Sequence, residues 1–388
     1  MNYPETPIHS VGIIGGGQLA RMTHQAAISM GLHVAVLDPG MHPYTNEPYC
    51  AAGDAGAESI HGALDDPEAL YTLAGMSQVT TFEIEHIAAD PLIDLAGRGY
   101  RIRPDPSTLA LIQDKYAQKE DLRARGIPVA DSRPVTSTGD FTVAREQLGS
   151  MIVKSRKGGY DGRGNLVVKG QTWQEVADHF GQKAPALYAE KLIPFRRELS
   201  AIVARDLAGR LATYPLVETI HENNICHMTL APAQVEASTR RDAEEIAYET
   251  VAGYRGAGIF AVEMFEDERG QVLVNEVAPR AHNSGHWTIE GSETSQFANH
   301  LRAITGRPLG RTAMRAPAAV MINILGTKVG GFYPTGISDV EALPFTANVH
   351  WYGKEIKPER KVGHITVLSD SVKDAADKAT RARALLEV

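Results

Sequence analysis

The sequence is poor in features that would assign it to several common classes of protein. It has only two cysteines, Cys50 and Cys226, in 388 residues, which is too few for a disulfide framework, and neither lies in a metal-ligand spacing. The sequence shows no run of the roughly 18 apolar residues that a membrane-spanning helix needs. Its start, MNYPETPIHS, lacks a charged segment followed by an apolar one. We therefore expect a soluble cytoplasmic protein.

Positive charge is also scarce. The chain has 39 Lys and Arg residues against 47 Asp and Glu residues, which gives a formal net charge of -8 at pH 7. A protein with no net basic field does not collect phosphate backbones or anionic lipid surfaces. We expect small-molecule partners, no nucleic acid and no membrane.

Length and local pattern indicate several domains built from mixed α and β structure. A chain of 388 residues exceeds the roughly 250 to 300 residues at which one core stops growing. The segment VGIIGGGQLARMTHQAAISMGLHVAVLD, which begins at Val11, reads as strand, glycine turn, helix and strand, so it predicts a parallel sheet. Prolines at 103–107 indicate a boundary, and one helix is predicted from Asp105 to the stop at Gly126. Shorter β segments follow.

The glycine turn from Gly15 to Ala20 fits the pattern G-x-G-x-x-A, and Asp38 ends the next predicted strand. Glycines there let an anion approach the backbone N–H groups at the start of a helix. The pattern alone leaves three interpretations open. The turn binds a phosphate of some substrate, it binds a nicotinamide or flavin cofactor, or it is a tight turn without a ligand.

A second glycine cluster, KSRKGGYDGRGNLVVKG, places Lys154 on a strand and follows it with five glycines and another strand. It is not a Walker loop, since Gly-Lys-Ser/Thr is missing and a strand follows. Such a hairpin can close over a polyphosphate, with backbone donors and cations facing the oxygens. The alternative is a mobile surface hairpin with solvated charges.

The segment NEVAPRAHNSGHWT, residues 275–288, follows a predicted hairpin whose turn is Glu268–Gln271. The hairpin places Glu263 directly opposite Glu276, and two facing carboxylates repel unless a cation lies between them. Oxygen ligands of this kind suit Mg²⁺. Asn275 reaches the same ion only if the strand has a bulge. In the alternative register, one of the two carboxylates turns to solvent.

The order of these features resembles the ATP-grasp superfamily. Within it, GGGQLARM, TFEIEH, GGYDGRGN, NEVAPRAHNSGHWT and ERKVGHIT resemble the N5-carboxyaminoimidazole ribonucleotide synthetases of purine biosynthesis, along essentially the whole chain. The resemblance implies an α/β fold with a Rossmann-like parallel-sheet domain at 1–104, an ATP-grasp domain at 105–310 with a mobile lid at 127–190, and a short α+β domain at 311–388.

The resemblance also implies an activity. Family members spend ATP to carboxylate 5-aminoimidazole ribonucleotide with bicarbonate through carboxyphosphate, releasing ADP and phosphate, and a homodimer is expected. The implied cofactors are ATP and Mg²⁺, with Glu263 and Glu276 as the metal ligands.

The same resemblance implies site residues. The catalytic residues are Lys154, Arg280, His282 and Asn283, with Arg280 as the fork for the carboxylate of bicarbonate or carboxyphosphate. The residues implied for ATP are Lys115, Lys154, Gly159, Tyr160, Asp161, Gly162, Arg163, Gly164, Asn165, Glu190, Lys191, Leu192, Ile193, Glu198, His221, Asn275 and Glu276. Those implied for the ribonucleotide are Gly16, Gln18, Glu83, Tyr160, Asp161, Arg163, Lys354 and Arg360.

Three other functions stay open at this point. A different ATP-grasp ligase, using formate or carboxylating biotin, would share most of these residues. A nicotinamide-dependent oxidoreductase would use the glycine turn and Asp38 but would leave the glutamate pair without a role. A non-catalytic nucleotide-binding subunit would show no turnover.

Overall fold

The computed structural model describes residues 7–158, 164–181 and 186–388. Within those residues, the amino-terminal strands form a four-stranded parallel sheet of order β3-β2-β1-β4, as predicted. Its strands are β1 Ser10–Ile14, β2 His33–Asp38, β3 Glu58–His61 and β4 Val79–Phe82. The helices of this part are α1 Gln18–Ser29, α2 Ala51–Asp54, α3 Pro67–Met76 and α4 Ala89–Gly97. Buried side chains such as Val36 and Leu37 alternate between two apolar clusters, one on each face of the sheet.

The next segment forms two helices, α5 Pro106–Gln113 and α6 Lys115–Ala124. The expectation of one continuous helix is therefore wrong. Asp114 ends α5 and caps α6, since its side chain accepts a hydrogen bond from the Ala117 amide at 3.1 Å. The same carboxylate binds the Arg156 guanidinium at 2.5 Å. Aspartate is favoured at such caps because its oxygen satisfies an amide that the helix leaves unpaired.

A small antiparallel sheet of order β5-β8-β6-β7 follows. Its strands are β5 Ser132–Val135, β6 Met151–Ser155, β7 Asn165–Val167 and β8 Leu187–Lys191, and its helices are α7 Thr138–Leu148 and α8 Trp173–Phe180. Apolar residues of both helices, including Phe141 and Val176, cover one face. Since strand side chains alternate, Lys154 points to the other face.

The third sheet is mainly antiparallel and has the order β14-β13-β9-β11-β12-β15-β17-β16, with β10 beside β9. Its strands are β9 Phe195–Arg205, β10 Leu211–Thr213, β11 Val217–Glu222, β12 Ile225–Ala231, β13 Gly258–Asp267, β14 Val272–Ala278, β15 Ala318–Leu325, β16 Asn348–Trp351 and β17 Lys361–Ser369. The accompanying helices are α9 Ala237–Ala252, α10 Thr288–Gly291, α11 Gln296–Ile304, α12 Ile337–Glu341 and α13 Val372–Ala384.

The β12–β15 pairing, for example Met228 with Ile322, carries this sheet across the predicted boundary at 311. The predicted fold class is confirmed, whereas the domain boundaries stay predictions. Among the described residues, no helix has the length and apolar character to cross a membrane.

Candidate active site

The β13–β14 hairpin places two carboxylates face to face. Glu263 is the direct partner of Glu276, as predicted. On the turn side of the pair, Met264 faces Val274, so Asn275 is the extra residue of a bulge. Between the turn and Val274, the two strands are therefore paired one residue away from the predicted register, and the prediction is wrong there. The extra residue at the bulge brings the pairing back to the predicted register from Glu276 onward. This bulge is what lets Asn275 and Glu276 line one cavity.

Each carboxylate of the pair has its own basic partner. The Lys115 ammonium lies 2.6 Å from Glu276, and His282 Nε2 lies 2.7 Å from Glu263. Burial would raise the pKa of Glu263, but His282, His221 and Lys115 outweigh burial and lower the pKa to about 2. Two facing carboxylates and a neighbouring amide oxygen are the donor set that a hard divalent cation prefers. The residues present therefore fit the predicted Mg²⁺ ion.

A cavity of about 420 Å³ lies between the small sheet and the large one, with the glutamate pair in its wall. Most residues implied for ATP or catalysis line it together: Lys115, Lys154, Asn165, Glu190, Lys191, Leu192, Ile193, Glu198, His221, Glu263, Asn275, Glu276, Arg280, His282 and Asn283. Gly164 accepts a hydrogen bond from the Ser155 amide at 2.9 Å. The implied residues Gly159, Tyr160, Asp161, Gly162 and Arg163 lie outside the described residues.

The cavity also has an apolar wall, to which Ile152, Val167 and Phe265 contribute. Apolar side chains facing each other suit a planar ring such as a nucleobase. The sequence analysis missed these residues, although the alternation of strand side chains could have identified two of them. Ile152 lies two residues before Lys154, and Phe265 lies two after Glu263.

Glu190 shares its carboxylate between two lysines. Its Oε1 lies 3.2 Å from Lys154 Nζ and its Oε2 lies 3.4 Å from Lys119 Nζ. Burial would raise the pKa of Glu190, but the two ammonium groups lower it. The backbone amides of Lys191 and Leu192 donate to neighbouring carbonyls at 2.8 and 2.9 Å. These two amides are therefore already bonded. If the backbone of residues 190–193 binds the adenine of ATP, it must do so through other N–H and carbonyl groups of the segment.

His221 and Glu198 form a pair beside the same cavity, with His221 Nδ1 lying 3.1 Å from Glu198 Oε1. Burial would lower the pKa of His221, but Glu198 outweighs it and raises the pKa. The structure thus brings together two of the residues implied for ATP, Glu198 and His221.

Arg280 binds Glu85, a cavity residue to which the sequence assigned no role, through both carboxylate oxygens; its Nη2 lies 2.7 Å from Oε1. Burial would raise the pKa of Glu85, but Arg280 lowers it to about 2. Asn283 is also engaged, since its side-chain amide exchanges two hydrogen bonds with Asn323, at 2.9 and 2.7 Å. Lys361, which likewise had no assigned role, lines the cavity.

The glycine turn binds carboxylates of the chain itself. Asp38 accepts from the Gly16 amide at 2.7 Å, and Glu83 accepts from the Gly17 amide and from the Ala20 amide at 2.7 Å. The anions at the helix start are thus side chains of the chain itself, which disfavours the second interpretation, a nicotinamide or flavin cofactor. Because Asp38 bonds the Gly16 amide, its carboxylate is not available to accept the hydrogen bond from the ribose hydroxyl of a dinucleotide.

Among the described residues implied for the ribonucleotide, Lys354 lies close to the turn. Lys354 Nζ lies 2.8 Å from Gln18 Oε1, which joins two residues from opposite ends of the chain. Arg360 donates to the Glu355 carbonyl at 3.1 Å. Burial would lower the pKa of Arg280, but Glu85, and after it Glu263 and Glu83, outweigh burial and raise the pKa.

Comparison with known proteins agrees with this geometry. Residues 8–113 match the ribonucleotide synthetase preATP-grasp domain, residues 120–297 the ATP-grasp domain, and residues 319–378 the phosphoribosylaminoimidazole carboxylase C-terminal domain. The N5-carboxyaminoimidazole ribonucleotide synthase of Mycobacterium leprae is 38% identical over 374 residues, which cover 92% of this chain and 83% of that protein. The chain belongs to the N5-carboxyaminoimidazole ribonucleotide synthase family.

Solved structures of this family share the fold over nearly the full length. The Thermotoga maritima synthetase has 39% identity and a TM-score of 0.86, and the match covers 98% of this chain and 99% of that one. The Aspergillus clavatus synthase, solved with ADP and 5-aminoimidazole ribonucleotide, has 34% identity and a TM-score of 0.85, with 98% of each chain covered. The phosphoribosylaminoimidazole carboxylase of Ogataea methanolica is 42% identical over 94% of this chain, which spans 67% of that longer protein.

Proposed function

We propose that the protein carboxylates 5-aminoimidazole ribonucleotide on its exocyclic amine, using ATP and bicarbonate, to give N5-carboxyaminoimidazole ribonucleotide in purine biosynthesis. The observation that carries the proposal is the bulge that turns Glu276 and Asn275 toward Glu263, in the wall of a cavity that also holds Lys115, Lys154 and Arg280. The ligands of the Aspergillus clavatus relative support the same pair of substrates.

Each part of the cavity has a role in this reaction. The apolar wall receives adenine, Glu198 and His221 face the ribose, and Lys115 and Lys154 bind phosphate oxygens. Glu263, Glu276 and Asn275 would hold Mg²⁺, and a divalent cation there would neutralise the phosphate charge that develops during transfer. Lys354, Gln18 and Arg360 bind the ribonucleotide phosphate, so Arg280 lies between the two substrates.

The chemistry follows from these positions. A bicarbonate oxygen attacks the γ-phosphorus, the bond to the β-γ bridging oxygen breaks, and ADP leaves. The amine nitrogen of the ribonucleotide then bonds to the carboxyl carbon, the carbon–oxygen bond to phosphate breaks, and the amine gives up a proton. Glu85 and the Ala281 carbonyl leave one N–H on each of the two terminal guanidinium nitrogens of Arg280, and these two groups orient the planar carboxyl group while Glu85 holds the guanidinium. His282 and Asn283 line the same cavity, and one of them orients the carboxyl group or accepts the proton of the amine.

The decisive test is the substrate requirement for phosphate release. We expect ADP and phosphate to form in equal amounts only when ATP, Mg²⁺, bicarbonate and the ribonucleotide are all present. Release with formate or biotin in place of these substrates would indicate a different ATP-grasp ligase. Reduction of a nicotinamide would indicate an oxidoreductase, and ATP binding without turnover would indicate a non-catalytic subunit.

The family resemblance also leads us to propose a homodimer located in the cytoplasm. Sedimentation of the purified protein would test the first part, because a dimer has twice the mass of the 42.0 kDa chain. Fractionation of cells that express the protein would test the second.

A further inference from the structure

One face of α6 contacts β14, the strand that carries Glu276. Lys115, Gln118 and Lys119 lie three and four residues apart, so their side chains leave the helix on the same side. Lys115 binds the Glu276 carboxylate at 2.6 Å. Gln118 accepts a hydrogen bond from the Val277 amide at 3.1 Å, and Lys119 donates one to the Val274 carbonyl at 3.0 Å. The helix thereby holds the bulge from both sides.

Lys119 differs from the other two because it does not line the cavity. Its side chain is 2% exposed, as is that of its second partner, Glu190. The bond to the Val274 carbonyl fixes its ammonium group behind the strand, where a nucleotide phosphate does not reach it. Burial lowers the pKa of Lys119 to about 8, so at neutral pH Lys119 contributes a buried positive charge next to Glu190.

Glu190 is the cavity residue that the charge of Lys119 contacts. One carboxylate lies between two ammonium groups, with Lys119 at 3.4 Å and Lys154 at 3.2 Å. Lys119 balances the negative charge, so Lys154 can leave Glu190 without exposing an uncompensated buried carboxylate. Without Lys119, departure of Lys154 would leave that carboxylate unpaired, which is strongly unfavourable in a buried site.

We propose that Lys119 is a positioning residue that neutralises Glu190 and thereby frees Lys154 to bind the phosphates of the nucleotide. The proposal rests on the proposed function, because it assumes that the cavity binds ATP. It predicts a specific defect: loss of Lys119 weakens nucleotide binding and leaves the ribonucleotide site, on the far side of Arg280, unaffected.

The test is the substitution Lys119→Met, which keeps the length of the side chain and removes its charge. We expect KM for ATP and the dissociation constant for Mg²⁺-ADP, measured by calorimetry, to rise roughly tenfold, as for other coupled charge pairs. KM for the ribonucleotide should stay unchanged. Glu120→Gln is the matched control, because Glu120 is the next residue of the same helix and is exposed.

The double variant Lys119→Met with Glu190→Gln separates charge balance from general damage. Removing both charges should restore most of the ADP affinity, because Lys154 is then no longer retained. Unchanged ADP affinity in Lys119→Met, or no recovery in the double variant, would overturn the proposal. If the single variant does not fold, the double variant alone decides, since it has no unbalanced buried charge. A wild-type protein that binds no ADP would instead overturn the proposed function.

Discussion

Glu85 and Arg280 are 195 residues apart in the chain and meet as a two-point ion pair in the wall of the cavity. Both side chains are largely buried, with 21% and 15% exposure. Because the guanidinium is held through two nitrogens, its plane is fixed before any substrate binds. The pair therefore sets the orientation in which Arg280 would meet a planar carboxyl group.

Glu85→Gln should selectively impair the use of bicarbonate. The amide has one oxygen acceptor where the carboxylate has two, so Arg280 loses a bond and its fixed plane. We expect KM for bicarbonate to rise and the free energy of unfolding to fall by about 3 kcal/mol, the cost of leaving a buried charge unpaired. The exposed Glu47 provides a control, Glu47→Gln. An equal rise in KM for all three substrates would contradict this role.

Glu276→Ala and Arg360→Ala should have different defects. Loss of Glu276 removes a proposed metal ligand and the counter-charge of Lys115, so ATP turnover should be abolished. Arg360→Ala should mainly raise KM for the ribonucleotide. Steady-state phosphate release, measured as each substrate is varied, distinguishes the two; equal ATP defects in both variants would contradict the proposed division of the site.

The stability of the protein should depend on pH through His300. Burial lowers the pKa of His300 to about 4, and its Nδ1 accepts a hydrogen bond from the Ile259 amide at 3.2 Å. The unfolded chain takes up this proton near pH 6.5, well before the folded protein does. Stability should therefore fall as the pH drops from about 6.5 to about 4, by about 3 kcal/mol from this residue.

Urea unfolding at several pH values would measure this effect. His300→Gln should reduce the slope between pH 6.5 and 4, because the substituted side chain does not titrate there. Buried His24, His286 and His364, whose pKa values burial also lowers, should retain part of the slope. His9→Gln, at an exposed histidine, should leave the dependence unchanged. The same slope in wild type and His300→Gln would show that other groups cause it.

Glu83→Ala should destabilise the amino-terminal sheet. The substitution leaves the amides of Gly17 and Ala20 without their acceptor, at a buried position where an unsatisfied donor costs about 1 to 3 kcal/mol each. Thermal unfolding should show the loss, with Glu58→Ala on β3 as the exposed control. The wild-type protein should not bind NAD, since its own carboxylates occupy the turn; saturable NAD binding would contradict this.

Much of the fold could be predicted because its signals are local. The βαβ unit, the paired long strands and the final helix follow from apolar periodicity and turn residues. The break at Asp114 was missed because helical spacing continues through it, while the capping bond and the Arg156 contact that favour the break become visible only in three dimensions.

The candidate site was predictable where it follows from strand geometry or from the family resemblance. Glu263 and Glu276 could be paired from the hairpin alone, and the need for a bulge at Asn275 followed from alternation. The partners of Arg280 and Asn283 could not be found in this way, because Glu85 and Asn323 come from distant segments. The glycine turn was ambiguous for the same reason, since Glu83, which accepts the hydrogen bond from the Gly17 amide, is 66 residues away in the sequence.

The single sheet that runs from β14 to β17 has a mechanical consequence. Glu276 lies on β14, and the segment that carries Arg360 lies just before β17. Both are therefore attached to the same continuous sheet. The distance between Glu276, which is proposed to bind the metal ion, and Arg360, which is proposed to bind the ribonucleotide phosphate, is thus set by the sheet before either substrate binds. A bisubstrate inhibitor would consequently need a spacer of one fixed length, and its affinity should depend steeply on that length.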